Sequence, residues 1–318
     1  MLVRTFIDSL DEPAIDIANN IFQKIYRVDT NGEISQLSTI FFKGLRLSST
    51  SIPNSLLDTF GIANFFIWMA YSLYDRVIDN DLSTDHVMVA NIFERKAVEL
   101  YQANDISCVT ILTLLNRTDQ ANAWEVKHCR FVPNRSTTTI PIIPSKQKLI
   151  TMLASRSIAH ISGPVSIFNI LVSNTKKQQV LLEALTHYCI ARQLNDDLHD
   201  WVDDFNNGRV TYVISHLLTK SEYVVGSSIN TLELLEKLKL LFYESELEML
   251  CDEIAAFSTS AIKGLIECGS QDNSLFIHHF LYPILLSAQK AKVLHAKRKT
   301  YVHNHRPAKA SNLNELVL

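Results

Sequence analysis

Only 8 glycines and 8 prolines interrupt 318 residues rich in Leu, Ile and Ala, which argues for helices joined by modest loops. Cysteine is sparse and scattered. Cys108, Cys129, Cys189, Cys251 and Cys268 form no CxxC pair, which speaks against a zinc knot or a disulfide frame and for a reducing, cytoplasmic setting. There is no basic excess: the net charge is −3, and nothing calls for nucleic acid, whose partners carry a clustered basic face. No apolar run is long enough for a transmembrane segment. The longest, Ile62 to Tyr74, has thirteen residues and reads as a buried helix, since a bilayer needs about 20. The opening MLVRTFIDSLDEPAID meets acidic residues too early for a signal peptide. No GxGxxG run offers a Rossmann nicotinamide site.

What is present in quantity is apolar side chain, 47% of residues, enough for a large core. Helical spacing runs through residues 13–27, then through Leu37 to Leu45, and through Leu56 to Asp81, which is apolar almost all round. A helix pair is expected over Val87 to Leu115. Arg117 to Ser145, with Pro133, Pro141 and Pro144, reads as a lid or mobile segment, with a weak hairpin signal at Thr137 to Ile143. Lys146 to Val172 resumes as helix, either kinked at Gly163-Pro164 or ending there before a new helix. A helix carrying the Asp196 to Asp204 stretch is expected to stop at Asn206-Asn207-Gly208-Arg209, and further helices are expected over 210–218, 231–268 and 275–293. With no repeat period and no convincing strand, the expectation is one all-α domain over residues 1–305 and a C-terminal tail, 306–318.

The most informative stretch is QLNDDLHDWVDDFNNGRVT, Gln193 to Thr211, with five aspartates in nine positions. Asp196, Asp200 and Asp204 are four apart and line one helix face. Like charges at that spacing destabilise a bare helix by about 0.2–0.5 kcal/mol per pair. An ordinary solvated acidic face is the plain alternative, but this stripe begins inside the apolar run of Tyr188, Ile190 and Leu194. Oxygen ligands without His or Cys point to Mg²⁺ and away from zinc. A second pair, Asp75 and Asp79, ends the most apolar helix, where carboxylates without a use would be costly. If the two helices face each other, they form a site for several Mg²⁺ ions and a strongly anionic ligand such as a diphosphate, above an apolar pocket for a hydrocarbon chain. Phe65, Phe66, Trp68 and Tyr71 would present π faces to a carbocation, or simply pack.

DRVID, Asp75 to Asp79, resembles the first aspartate-rich motif of class I isoprenoid synthases, DDxxD or DxxxD, with Arg76 in the second position. QLNDDLHDWVDDFNNGR aligns without a gap to QLxNxxRDxxEDxxxGR of the squalene/phytoene synthase family, with Asp196 for Asn, His199 for Arg and Asp203 for Glu. DDLHD is similar to the second motif of chain-elongating prenyltransferases, and Asp196, Asp200 and Asp204 fall at the spacing of the terpene-cyclase triad NxxxSxxxE. These motifs cover roughly a tenth of the chain and mark the superfamily more than any member of it. The resemblance implies an all-α bundle of the class I terpenoid synthase type with a central apolar cavity, often a homodimer. It implies a prenyl diphosphate as the small-molecule partner and a cluster of about three Mg²⁺ ions. Asp75 and Asp79 would bind metal from one wall, and Asp196, Asp200 and Asp204 from the other. Arg156 and Arg209 are diphosphate candidates. So are Lys292, Arg298 and Tyr301, which compete with the reading of a solvated basic tail.

Within the superfamily, chain elongation usually shows two arginines shortly after the first motif, and NDLSTDHVMV has none. Head-to-head condensation is favoured by the spacing of the second motif and disfavoured by His199 and by SRSIAHISGP, which lacks the expected tyrosines. A terpene cyclase needs only the metal walls and the apolar pocket, and it is the preferred expectation. The alternatives are a head-to-head synthase, a non-catalytic isoprenoid-binding homologue and, on the charge stripe alone, an acidic scaffold for basic partners.

Overall fold

The computed structural model describes residues 2–45, 52–79, 81–104, 108–133, 136–272 and 274–304, apart from the side chains of 108 and 298–304. The chain is built from α1 (Leu2–Ile7), α2 (Ala14–Val28), α3 (Leu37–Lys43), α4 (Asn54–Ile78), α5 (His86–Gln102) and α6 (Cys108–His128). These are followed by α7 (Lys146–Arg156), α8 (Ser162–Leu171), α9 (Thr175–Asn206), α10 (Tyr212–Lys220), α11 (Thr231–Leu241), α12 (Leu247–Glu267) and α13 (Tyr282–Asn304). The expected all-α architecture is present, with one continuous apolar core. The expected tail, 306–318, lies outside the described residues.

Two long helices organise the bundle. α9 has 32 residues without Gly or Pro, about 48 Å at 1.5 Å per residue. Asn174 caps it, accepting from the Lys177 amide at 3.1 Å. Leu181, Leu185, Ala191, Leu194, Leu198 and Trp201 bury its inner side against α12 and α7. The approach to α12 is close: a Cβ on Gly264 would lie 2.8 Å from the Ala184 Cβ. α4 packs along α5 and buries Phe60, Ala63, Phe66, Ile67, Met69 and Ala70. By length and composition α4 is apolar enough to cross a membrane, yet 67% of its most apolar window is inside the fold, as the apolar-all-round pattern implies.

Three expectations need correction. The segment from Arg117 does not open into a loop, because α6 continues to His128. Leu114, Leu115, Thr118 and Ala121 bury one face of it, and Thr118 Oγ1 donates to the Ser155 carbonyl at 3.0 Å. The Thr137 region forms no local hairpin: β1 (Thr137–Thr139) pairs antiparallel with β2 (Ser228–Asn230), Thr138 opposite Ile229. The helix break near Gly163-Pro164 falls earlier. α7 ends at Arg156, a 3₁₀ turn spans Ile158–Ile161, and Pro164 sits in the first turn of α8, where its missing N–H is harmless. The long 231–268 helix is continuous but contains a π turn at Phe242–Glu246.

Candidate functional site

A cavity of about 190 Å³ opens where the ends of α4, α6, α7 and α9 meet. Asp75 and Asp79 reach it from α4 and its cap, and Asp196, Asp197, Asp200 and Asp204 from α9. Glu125 and Trp124 of α6, and Leu149, Met152, Leu153 and Arg156 of α7, complete the wall, with Arg130 and Arg209 at its edge. The two aspartate motifs therefore face one space. Its acidic side is α4 and α9, and its apolar side is Trp124, Leu149, Met152, Leu153 and Val210.

The stripe on α9 is not uniform. At 3.6 residues per turn, steps of four drift by about 40°, so Asp196 and Asp204 end about 80° apart, whereas Asp197 and Asp204 differ by about 20°. Asp197 and Asp204 are accordingly buried, while Asp196 and Asp200 are open to the cavity. Asp197 accepts from Gln193 Nε2 at 3.1 Å and from the Tyr212 amide at 3.3 Å. Burial raises its pKa to about 7, and the nearby Asp204 adds to the effect.

Arginines neutralise part of this charge. Arg209 forms an ion pair with Asp79 and another with Asp204 at 3.2 Å. Arg130 reaches the other Asp79 oxygen at 3.0 Å and Glu125 at 3.2 Å. The two arginines are held side by side by backbone pairing. The Phe131 amide donates to the Gly208 carbonyl, and the Val210 amide to the Cys129 carbonyl, both at 2.8 Å. Gly208 makes this possible: its φ is +72°, and a Cβ there would lie 2.1 Å from the Phe131 oxygen. Arg156 makes no hydrogen bond or ion pair among the described residues. Burial acts to lower its pKa, but Glu125, Asp75, Asp197 and Asp204 outweigh burial and raise it.

The side chains of Asp75, Asp196 and Asp200 make no hydrogen bond or ion pair among the described residues. Asp75 is open to solvent yet enclosed by protein on most sides, as befits a cavity wall. Burial raises its pKa, opposed by Arg156 and assisted by Asp79 and Glu125. Burial likewise raises Asp196 and Asp204, opposed chiefly by Arg192 and Arg209 respectively. An all-oxygen set on two facing walls fits a hard divalent cation in kind. It is not preassembled: among the described residues no three such groups converge on one point, since Asp79 and Asp204 are drawn onto arginines.

Other expected site residues lie elsewhere. Phe65 packs on Phe22 with ring centroids 5.7 Å apart. Tyr71 is buried and donates to Asp119 Oδ1 at 2.8 Å. Trp68 lies in a second, smaller pocket, with His160 stacked at 4.2 Å and Arg192 over its ring at 5.1 Å. None of the three lines the acidic cavity, because the inner face of α4 is already filled by neighbouring helices. Lys292 is on the surface, paired with Asp252 at 2.5 Å. The side chains of Arg298 and Tyr301 lie outside the described residues. Glu125, Arg130 and Asp197 were not singled out by the sequence. Asp197 had a signal, its seven-residue spacing from Asp204, whereas Arg130 had none because its partners are far away in the chain.

This helical bundle, with its cavity at the helix ends, has the isoprenoid synthase fold. The octaprenyl pyrophosphate synthase of Helicobacter pylori is similar over 89% of this chain and 99% of its own, at a TM-score of 0.54 and 17% identity. The geranylgeranyl pyrophosphate synthase of Corynebacterium glutamicum, solved with isoprenyl diphosphate and magnesium, is similar over 91% of this chain and 95% of its own, at a TM-score of 0.58 and 14% identity. No protein-family model matches the sequence, and no curated protein matches it. At these identities the likeness is one of fold.

Proposed function

We propose that this chain is a Mg²⁺-dependent terpene synthase that ionises an allylic prenyl diphosphate and lets the carbocation cyclise, releasing diphosphate. The observation behind this reading is the meeting of Asp75 and Asp79 with Asp196, Asp200 and Asp204 around one cavity edged by three arginines. Similar folds solved as prenyl pyrophosphate synthases, one with isoprenyl diphosphate and magnesium, support a diphosphate substrate of this class.

The residues divide the work. Asp75, Asp196 and Asp200, free of other partners, and Asp79 and Asp204, once released by their arginines, would hold the ions. Bound Mg²⁺ supplies charge neutralisation for the departing diphosphate. Arg156, unpaired and charged at the cavity wall, is placed to bind a phosphate oxygen, and Arg130 and Arg209 join it when they leave Asp79. Leu149, Met152, Leu153 and Trp124 offer the hydrocarbon its apolar side and keep water from it. Head-to-head condensation is the second reading, favoured by the gapless second motif.

The test is incubation with Mg²⁺ and geranyl, farnesyl or geranylgeranyl diphosphate, followed by extraction and pyrophosphate assay, with Asp200→Asn and EDTA as controls. A cyclic product lost in both controls supports the cyclase. A C30 or C40 product moves the assignment to head-to-head synthesis. No pyrophosphate from any substrate sinks the ionisation reading.

A further inference from the structure

The basic segment near the C-terminus is not used by the cavity, none of whose lining residues comes from α13. α13 carries Lys290, Lys292, Lys297, Arg298 and Lys299, and no acidic residue. Its inner side is fixed by Ile284, Ala288 and His295, all buried. At 100° per residue these three fall within about 40° of one another. Roughly opposite them, within about 60°, stand Leu286, Lys290, Val293 and Lys297, with Leu294 at their flank. All five are exposed, the aliphatic ones substantially: Leu286 by 51%, Val293 by 53% and Leu294 by 45%. We propose that this outer face of α13 docks the protein on an anionic lipid bilayer, with the helix lying parallel to the membrane surface. The inference goes beyond the ionisation reading and does not depend on it.

A helix packed on one side ordinarily shows water a polar opposite side. Isolated exposed aliphatic residues are common on protein surfaces. An arc that joins three of them to lysines and excludes carboxylates is a different composition. Along Leu286, Lys290, Val293 and Lys297 apolar and basic residues alternate over about 16 Å of helix. Helices that lie in a bilayer interface have this make-up. The aliphatic side chains enter the acyl boundary, while the lysine stems lie along it and their ammonium groups reach the lipid phosphates.

Charge decides between the possible occupants. The acids that approach α13 from α12 are engaged: Asp252 pairs with Lys292 at 2.5 Å, and Glu248 lies 3.3 Å from His295 Nδ1. Lys290 and Lys297 make no ion pair among the described residues, so their charge is left to attract an external anion. An anionic leaflet supplies that charge together with an apolar layer beneath it. A second copy docked through the same face would set lysines against lysines. A nucleic acid backbone would satisfy the lysines and leave Leu286 and Val293 against phosphates.

The test is flotation of the full chain with vesicles of phosphatidylcholine and phosphatidylserine in equal parts, against phosphatidylcholine alone, in low-salt buffer with EDTA. Binding to the anionic vesicles is expected, at least tenfold weaker on phosphatidylcholine and weakening as salt is added. Lys290→Glu with Lys297→Glu, and separately Leu286→Ser with Val293→Ser, should each weaken it at least tenfold, with circular dichroism and thermal midpoint unchanged. A nitrobenzoxadiazole label on Val293→Cys should shift its emission to the blue when vesicles are added. Failure of the unmodified chain to float with anionic vesicles overturns the proposal. So does a bound protein whose label keeps its aqueous emission, since another face is then docked. Binding indifferent to the serine pair reduces the contact to adsorption of charge and overturns insertion. Equally tight binding to soluble polyglutamate overturns the lipid assignment in favour of an acidic protein partner. None of these outcomes involves turnover of a prenyl diphosphate.

Discussion

Asp197 gives the sharpest quantitative test of the site's electrostatics. It is buried, its pKa is raised from 3.8 to about 7, and its two hydrogen bonds come from Gln193 and the Tyr212 amide. A carboxyl whose pKa is higher folded than unfolded holds its proton longer in the native state. Stability is therefore greatest below the unfolded value and falls as pH rises from about 4 to about 7. At roughly 1.4 kcal/mol per pH unit, the loss over that whole window is on the order of 4 kcal/mol, and over the part between pH 5 and pH 8 about 2–3 kcal/mol. Asp197→Asn resembles the protonated acid in shape but does not titrate; its amide nitrogen cannot accept one of the two hydrogen bonds, a loss that is the same at both pH values. In metal-free buffer with EDTA, urea unfolding at pH 5 and pH 8 should show the variant gaining on the wild type by about 2–3 kcal/mol between the two. Parallel stabilities, or a gap that shrinks with pH, would refute the idea that burial governs this carboxyl.

Three more perturbations address the frame around it. Gly208→Ala forces a Cβ onto the Phe131 carbonyl at a positive φ, and should destabilise by about 2–3 kcal/mol in thermal or urea unfolding while separating Arg130 from Arg209. Arg130→Gln removes one of two arginines on Asp79. Because the pair is partly exposed, stability should change by under about 1 kcal/mol, whereas kcat/KM for a prenyl diphosphate should fall at least tenfold, about 1.4 kcal/mol. Tyr71→Phe strips the Asp119 carboxylate of its hydroxyl donor and should cost about 1–2 kcal/mol, read by denaturation, with no direct effect on the cavity.

The helices that carry the site were legible because their patterns are local. α4 announces itself by an unbroken apolar run closed by acids, and α9 by apolar positions leading into the aspartates. The end of α6 was not legible: RTDQANAWEVKH is polar by composition and stays helical because Thr118 and Ala121 dock under the turn after α7. The β1–β2 pairing spans some ninety residues, and no local signal specifies a register at that distance. The sequence offered Trp68 either as a π face for a carbocation or as core packing. What the ring meets, Arg192 and His160, depends on α9 and on the 3₁₀ turn, so its surroundings appear only in three dimensions. Likewise, the aspartates could be counted from the sequence, but not which of them would be claimed by arginines.

Three helices, α4, α6 and α9, bring their C-terminal ends to the cavity, α7 lines it along its length, and α10 brings its N-terminal end, whose first amide Asp197 takes up. A helix C-terminus carries a partial negative charge, reduced here where last-turn carbonyls already accept, as Asp75 does from the Asp79 amide and Asp204 from the Arg209 amide. The peptide backbone thus adds negative potential to that of the carboxylates already there. Acids in the last turn of a helix work against that field, by about 0.3–1 kcal/mol each, so the cavity is an electrostatic sink that the fold sustains against local preference. Under the proposed function, a diphosphate would enter this field together with metal counter-ions, and Arg130, Arg156 and Arg209 would supply the rest of the compensating charge.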